Sequence, residues 1–143
     1  MLSIYPACFF KEEEGYSVVF PDLNWLSTCG ESLEEAMAMA VDCIAGYLYS
    51  AKMSNEGVCK ASAITDIKIE EIAKEIGCST DGAFVNMVSV DVSAYAKEHF
   101  EKSVKKTLSI PAWLNKLALE QNINFSQVLQ EALIAKVGNS TRG

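Results

Sequence analysis

The chain has 143 residues, half of them apolar, with only 8 glycines and 3 prolines, the composition of one ordinary folded domain or two small ones. Its apolar runs fall far short of the ~20 residues of a membrane span, and the start Met1-Leu-Ser-Ile-Tyr-Pro lacks the basic-then-apolar pattern of a secretion signal. The net charge of −7 is split: residues 1–103 carry 17 acids against 7 lysines (net −10), and residues 104–143 carry five bases against two acids (net +3). Opposite signs at the two ends fit partners of opposite sign, although charge alone also fits a surface that serves only solubility.

In chain order, Leu2, Ile4, Ala7 and Phe9 fall roughly on alternate positions, as in a half-buried strand. Glu12-Glu13-Glu14-Gly15 supplies a reversal, with Gly15 free to take positive φ. Tyr16–Phe20 is β-branched and aromatic, and Pro21-Asp22-Leu23-Asn24 is turn chemistry before a short third strand over Trp25–Cys29. Ser32 and Glu35 make a capping box. Leu33, Met37, Ala40, Val41, Ile44 and Leu48 then recur at helical spacing, with Gly46 inside the pattern. Ser50–Ala63 reads as a loop. Asp66 is placed as the cap of a second helix bearing Ile67, Ile72 and Ile76 and closed by Gly77. Phe84–Val92 reads as a strand buried on much of both faces, and Ser93 as the cap of a short helix through Phe100.

The last forty residues change character. Thr107 and Ser109 alternate with Leu108 and Ile110 in a short strand, Pro111 opens a helix with Trp113, Leu114, Leu117 and Ala118 on one face, and Asn122-Ile-Asn124 breaks it. Asn124 with Gln127 caps a last helix bearing Phe125, Val128, Leu129, Ala132 and Leu133, expected to end at Gly138 before a frayed Asn139–Gly143. One strand and two helices of this size cannot bury a sufficient core alone, and a lone strand exposes two bare edges. Both problems vanish if two copies pair their strands as a ribbon over four helices. Thr-Leu-Ser-Ile-Pro-x-Trp-Leu followed by Asn-x-x-Gln resembles the ribbon-helix-helix family, in which such a ribbon enters the DNA major groove. Leu108, Ile110, Trp113, Leu117, Val128, Leu129 and Leu133 then form the dimer core. Lys105, Thr107 and Ser109 face outward as candidate base contacts, and the helix start at Asn124, Ser126 and Gln127 suits a phosphate. A dimerisation module with a polar outer face is the competing reading.

Little points to catalysis. Cys8, Cys29, Cys43, Cys59 and Cys78 form no CxxC and are odd in number, so they read as buried free thiols in a reducing cytoplasm rather than a disulfide framework or zinc site. His99 stands in a short charged helix with no evident tie to a thiol, and no phosphate loop or nucleophile elbow occurs. No metal or cofactor is expected, and the chain is read as no enzyme. Asp22, Asp42 and Asp91 lack the local context of a metal-dependent nuclease.

Tyr5-Pro-Ala, Glu-Glu-Gly-Tyr-Ser-Val-Val-Phe-Pro-Asp-Leu and Thr28-x-Gly30-x-Ser-Leu-Glu-Glu-Ala36 resemble the HicB antitoxin family, as does Ile-Asn-Phe-Ser-Gln-Val-Leu-Gln-Glu-Ala-Leu near the end. The resemblance covers residues 4–51 and 104–137 strongly and 83–100 loosely, leaving 52–82 as an apparent insertion. Where the family usually has Pro-Gly after Pro-Asp-Leu, this chain has Asn24-Trp25. The resemblance implies an α+β protein with a HicB-type, partial RNase H-like α/β layer over 1–102 and a ribbon-helix-helix domain over 103–143. It implies a small basic HicA-type toxin that cleaves mRNA as partner, covered through Glu12, Glu13, Glu14, Asp22, Leu23 and Trp25. It also implies operator DNA bound by a homodimer or higher even oligomer. A ligand-responsive repressor, with an N-terminal sensor in place of a toxin cover, is the alternative from another class.

Overall fold

The structure is a computed structural model that describes the backbone of residues 1–141 and the side chains through residue 138. The chain divides into two compact units, Met1–Ser103 and Val104–Gly143.

The first unit is built on a four-stranded antiparallel sheet. Strands β1 (Ser3–Lys11), β2 (Tyr16–Phe20), β3 (Leu26–Gly30) and β4 (Phe84–Val90) lie in the order β3-β2-β1-β4. The register pairs Phe9 with Val18 and with Phe84, and Val18 with Thr28, so the three inner pairings share one side-chain alternation. Because successive residues point to opposite faces, Phe9, Val18, Phe20 and Val88 fall on one face, and Cys8, Phe10 and Val19 on the other.

Helix α1 (Leu33–Met53) covers the first face. Ser32 Oγ accepts the Glu35 amide at 3.1 Å as the capping box requires, while Glu35 reaches back to the Glu31 amide, one residue before the cap. Ala36, Ala40, Ile44 and Ala45 are fully buried, and the helix runs on past Gly46. Small residues bring the first turn close: a Cβ on Gly30 would lie 2.3 Å from the Ala36 nitrogen. Helix α3 (Val92–His99) joins the same layer through Ala96 and Tyr95. Asp91, not Ser93, caps it, accepting the Ala94 amide at 3.1 Å. A carboxylate one position ahead of the helix outcompetes the hydroxyl for that role.

Residues 52–82 are no appendage. They carry the chain around the sheet to its second face, where α2 (Ile69–Ile76) packs Ile72 and Ala73 on Cys8, Phe10 and Val19. Asp66 does not cap this helix; it closes a 3-10 turn over Ile64–Asp66, and Lys68 precedes α2 with no side-chain cap. Gly77 ends α2 at φ 74°, as its lack of a Cβ allows. Strand β4 is less buried than its sequence implies, because it is an edge strand: Asn86 and Ser89 are exposed. The five cysteines are free, yet only Cys8 is buried; Cys29 and Cys59 are exposed, and Cys43 and Cys78 lie between. Cys29 sits on the β3 edge and Cys59 on a surface loop, where no second layer reaches them.

In the second unit, α4 (Ala112–Glu120) and α5 (Phe125–Thr141) are joined by a turn with Asn122 at φ 52°. Pro111 stands at the cap rather than inside α4. Gly138 does not end α5; an interior glycine costs a helix about 1 kcal/mol without stopping it. The expected frayed tail therefore shrinks, with residues 142 and 143 outside the described residues. Residues 103–111 form no strand in the single chain, and a ribbon of the kind expected there needs a second copy to complete its ladder.

Candidate functional site

In the first unit, the hairpin tip Glu12-Glu13-Glu14 is exposed, and Glu12 accepts a hydrogen bond from Ser17 Oγ at 2.6 Å. Gly15 takes φ 83° at this turn and has no room for a side chain, since a Cβ would meet the Gly30 carbonyl. Asp22 is already engaged within the chain. The Ser62 amide and hydroxyl donate to its two carboxylate oxygens at 2.7 and 2.8 Å, and Tyr5 OH donates to the Cys59 carbonyl at 2.8 Å. Together these bonds fasten the strap that leads from α1 to α2. Leu23 leaves the candidate surface altogether: at 1% exposure it belongs to the core beneath α1. The apolar third residue of Pro-Asp-Leu thus anchors the turn.

Trp25 is 44% exposed and, with Asn24, lies in the left-handed region at φ 60° and 55°. The pair replaces Pro-Gly with two residues that both bear side chains in a conformation favouring glycine or asparagine. Asn24 Nδ2 donates to Tyr47 OH at 2.9 Å and Ser27 Oγ to the Trp25 carbonyl at 2.8 Å, which hold the turn.

The two halves of the second sheet face differ. Helix α2 covers Cys8, Phe10 and Val19. Ser17, Ser27 and Cys29 share that face by register, and Ser27 and Cys29 are exposed.

The aspartates that could suggest a nuclease serve separate structural ends. Asp42 accepts from Tyr95 OH at 2.8 Å, and Asp91 caps α3 and meets the N-terminal ammonium at 3.4 Å. Burial, then the hydrogen bond to Asp42, push the Tyr95 hydroxyl up to about 12. His99 stacks on Tyr95 at 4.0 Å between ring centroids and lies beside Glu98. No group of three or more acids, histidines or cysteines is placed to hold a metal among the described residues. A depression of about 370 Å³ lined by Leu26, Asp42, Cys43, Tyr47, Ser50 and Glu56 is open to solvent.

In the second unit, Lys105, Thr107 and Ser109 are exposed. Asn124 Oδ1 accepts the Gln127 amide at 3.1 Å, so the expected cap forms, and Gln127 Nε2 donates to Glu131 at 3.2 Å. Ser126 is exposed in the same turn. The apolar residues of this unit are largely uncovered: Leu108 is 63% exposed, Ile110 45%, Trp113 64%, Leu117 46%, Val128 52% and Leu133 54%, while Leu129 is half-buried. Ala118 is the one buried apolar residue among the unit's described residues.

Comparison with known proteins matches the architecture to one family. The family described as HicB-like antitoxin of bacterial toxin-antitoxin system matches residues 5–138, a span that includes the strap and α2. A chain of the solved toxin-antitoxin complex from Streptococcus pneumoniae is 34% identical, with a TM-score of 0.66 over 95% of this chain and 99% of that one. The crystal structure of the Burkholderia pseudomallei antitoxin HicB is 20% identical, covers 95% of this chain and 97% of that one, and has a TM-score of 0.48. No curated protein matches by sequence. By the extent of the family match and the identity to the pneumococcal chain, the protein belongs to the HicB-like antitoxin family.

Proposed function

We propose that the protein neutralises a small basic HicA-type toxin that cleaves mRNA, covering it with residues 1–102, and represses its own operon through a ribbon-helix-helix dimer formed by residues 103–143. The observation that carries this reading is the 34% identity, over nearly the whole of both chains, to a member of a toxin-antitoxin complex. The net −10 of residues 1–103 supports it physically, because an acidic cover attracts a basic protein and repels RNA of like sign.

The second unit supports the dimer. Its uncovered Leu108, Ile110, Trp113, Leu117, Val128 and Leu133 would together expose a large apolar surface to water in a monomer. Pairing two copies buries it and gives the segment around Thr107 a ladder partner. Lys105, Thr107 and Ser109 then lie on the outer ribbon face for the DNA major groove, and the helix start at Asn124–Gln127 lies near a phosphate.

Co-expression with the product of the adjacent gene, expected to be a small basic protein, tests the reading. The expected result is rescue of growth and co-purification of the two proteins. Persisting growth arrest without co-purification would refute it.

A further inference from the structure

Resting on the reading above, we propose that the uncovered β2–β3 half of the second sheet face is where the toxin's basic surface docks, with Trp25 as its apolar anchor. Strand register puts Ser17, Ser27 and Cys29 beside Val19 and Phe10 on the face that α2 covers elsewhere, yet α2 stops short of them. Ser27 and Cys29 stand exposed on a sheet surface with no second layer. At the entrance of β3, Trp25 is 44% exposed on a turn that Ser27 itself helps to hold. A large aromatic ring kept half in water on a rigid turn is costly for stability and typical of an interface anchor.

Charge selects the occupant. Between Lys11 and Lys52 the sequence contains eight acids and no Lys, Arg or His, and this stretch makes up β2, β3 and most of α1. Glu12, Glu13 and Glu14 at the β1–β2 tip and Glu31 after β3 are exposed at one end of the bare strip, and Glu34 is exposed in the first turn of α1. The Lys11 side chain extends along Gly82 at the β4 side, away from β3. On the covered half, Lys68 and Lys74 stand among Glu70, Glu71 and Glu75 on or beside α2, so the signs there are mixed. An apolar anchor at one end of a strip with acids at the other fits a protein of the opposite sign, steering its approach while excluding nucleic acid.

Two exposed thiols provide the test, since Cys29 lies on the strip and Cys59 on the strap. In the complex of the full-length protein with the co-expressed basic partner, alkylation of Cys29 by a maleimide should slow at least about tenfold, as expected of a position sealed in a packed interface. Cys59 should react at its free rate. Cys29→Arg, on an exposed strand position, should abolish the complex with an unchanged melting curve, and Glu71→Arg on α2 should leave it intact. A complex that forms while Cys29 stays fully reactive overturns the docking face and leaves the antitoxin reading standing. Absence of any complex with the wild-type chain overturns both. If Cys29→Arg alters sedimentation of the free protein but not toxin binding, the strip is covered by a second copy and the proposal is wrong.

Discussion

Single side chains in this protein divide between those held by the fold and those left to a partner. Cys8 is wholly buried between β1 and α2, and burial pushes its thiol up to about 11, so it holds its proton at every ordinary pH. Cys29 and Cys59 are open to solvent. Alkylation at pH 8 should therefore modify Cys29 and Cys59 in the native protein and reach Cys8 only after denaturation; rapid native labelling of Cys8 would contradict the packing of the second face. Thr107 belongs to the other class. In the proposed ribbon its short neutral side chain meets a base edge, so Thr107→Ala should weaken operator binding by about 1–3 kcal/mol per lost contact while barely changing its salt dependence. Titration of operator and random DNA at several salt concentrations checks this, and equal weakening on both would show that the residue does not read sequence. Pattern reading failed at this scale for a plain reason. Pro-Asp-Leu has the composition of an exposed turn, but nothing local reveals that Leu23 drops into the core or that Asp22 ties down Ser62, forty residues away. The first depends on how α1 seats over the sheet, the second on the strap's path.

Elements were legible where one local rule sufficed. The capping box at Ser32 and Glu35, the helical spacing through Ile44, the β-branched run at Tyr16–Phe20 and the cap at Asn124 all appear in the structure. Less legible was the stretch 52–82, whose polar loop disguises a connection that brings α2 to the opposite face. The strong amphipathy of Ile69–Ile76 was the available signal, since a helix with one apolar side needs a surface to cover. Close packing at the start of α1 yields a sharp prediction. Gly30→Ala places a methyl group 2.3 Å from the Ala36 nitrogen, backbone against backbone, and should destabilise the first unit by about 1–3 kcal/mol through overpacking. Urea unfolding measures it; an unchanged midpoint would mean that α1 does not seat as described. In the second unit, Leu108→Asp should put an uncompensated charge into the proposed dimer core at a cost of several kcal/mol, abolishing the dimer and its DNA binding. Sedimentation of that variant indistinguishable from wild type would refute the ribbon.

At the scale of the whole molecule, charge and burial change together between the two units. The acidic unit has its own core on both sheet faces, with only the β2–β3 half of the second face bare, whereas the basic unit leaves most of its apolar residues uncovered. That contrast supports the proposed division of labour, with toxin binding assigned to the first unit and dimerisation and DNA contact to the second. A domain with its own core tolerates separation from its neighbour, and a module that depends on a second copy works only by pairing. The most direct measurement is a calorimetric titration of the toxin with a fragment ending at Lys102, verified as folded by circular dichroism. The account predicts toxin affinity close to that of the full chain and complete loss of operator binding; a folded fragment with no affinity for the toxin would contradict it.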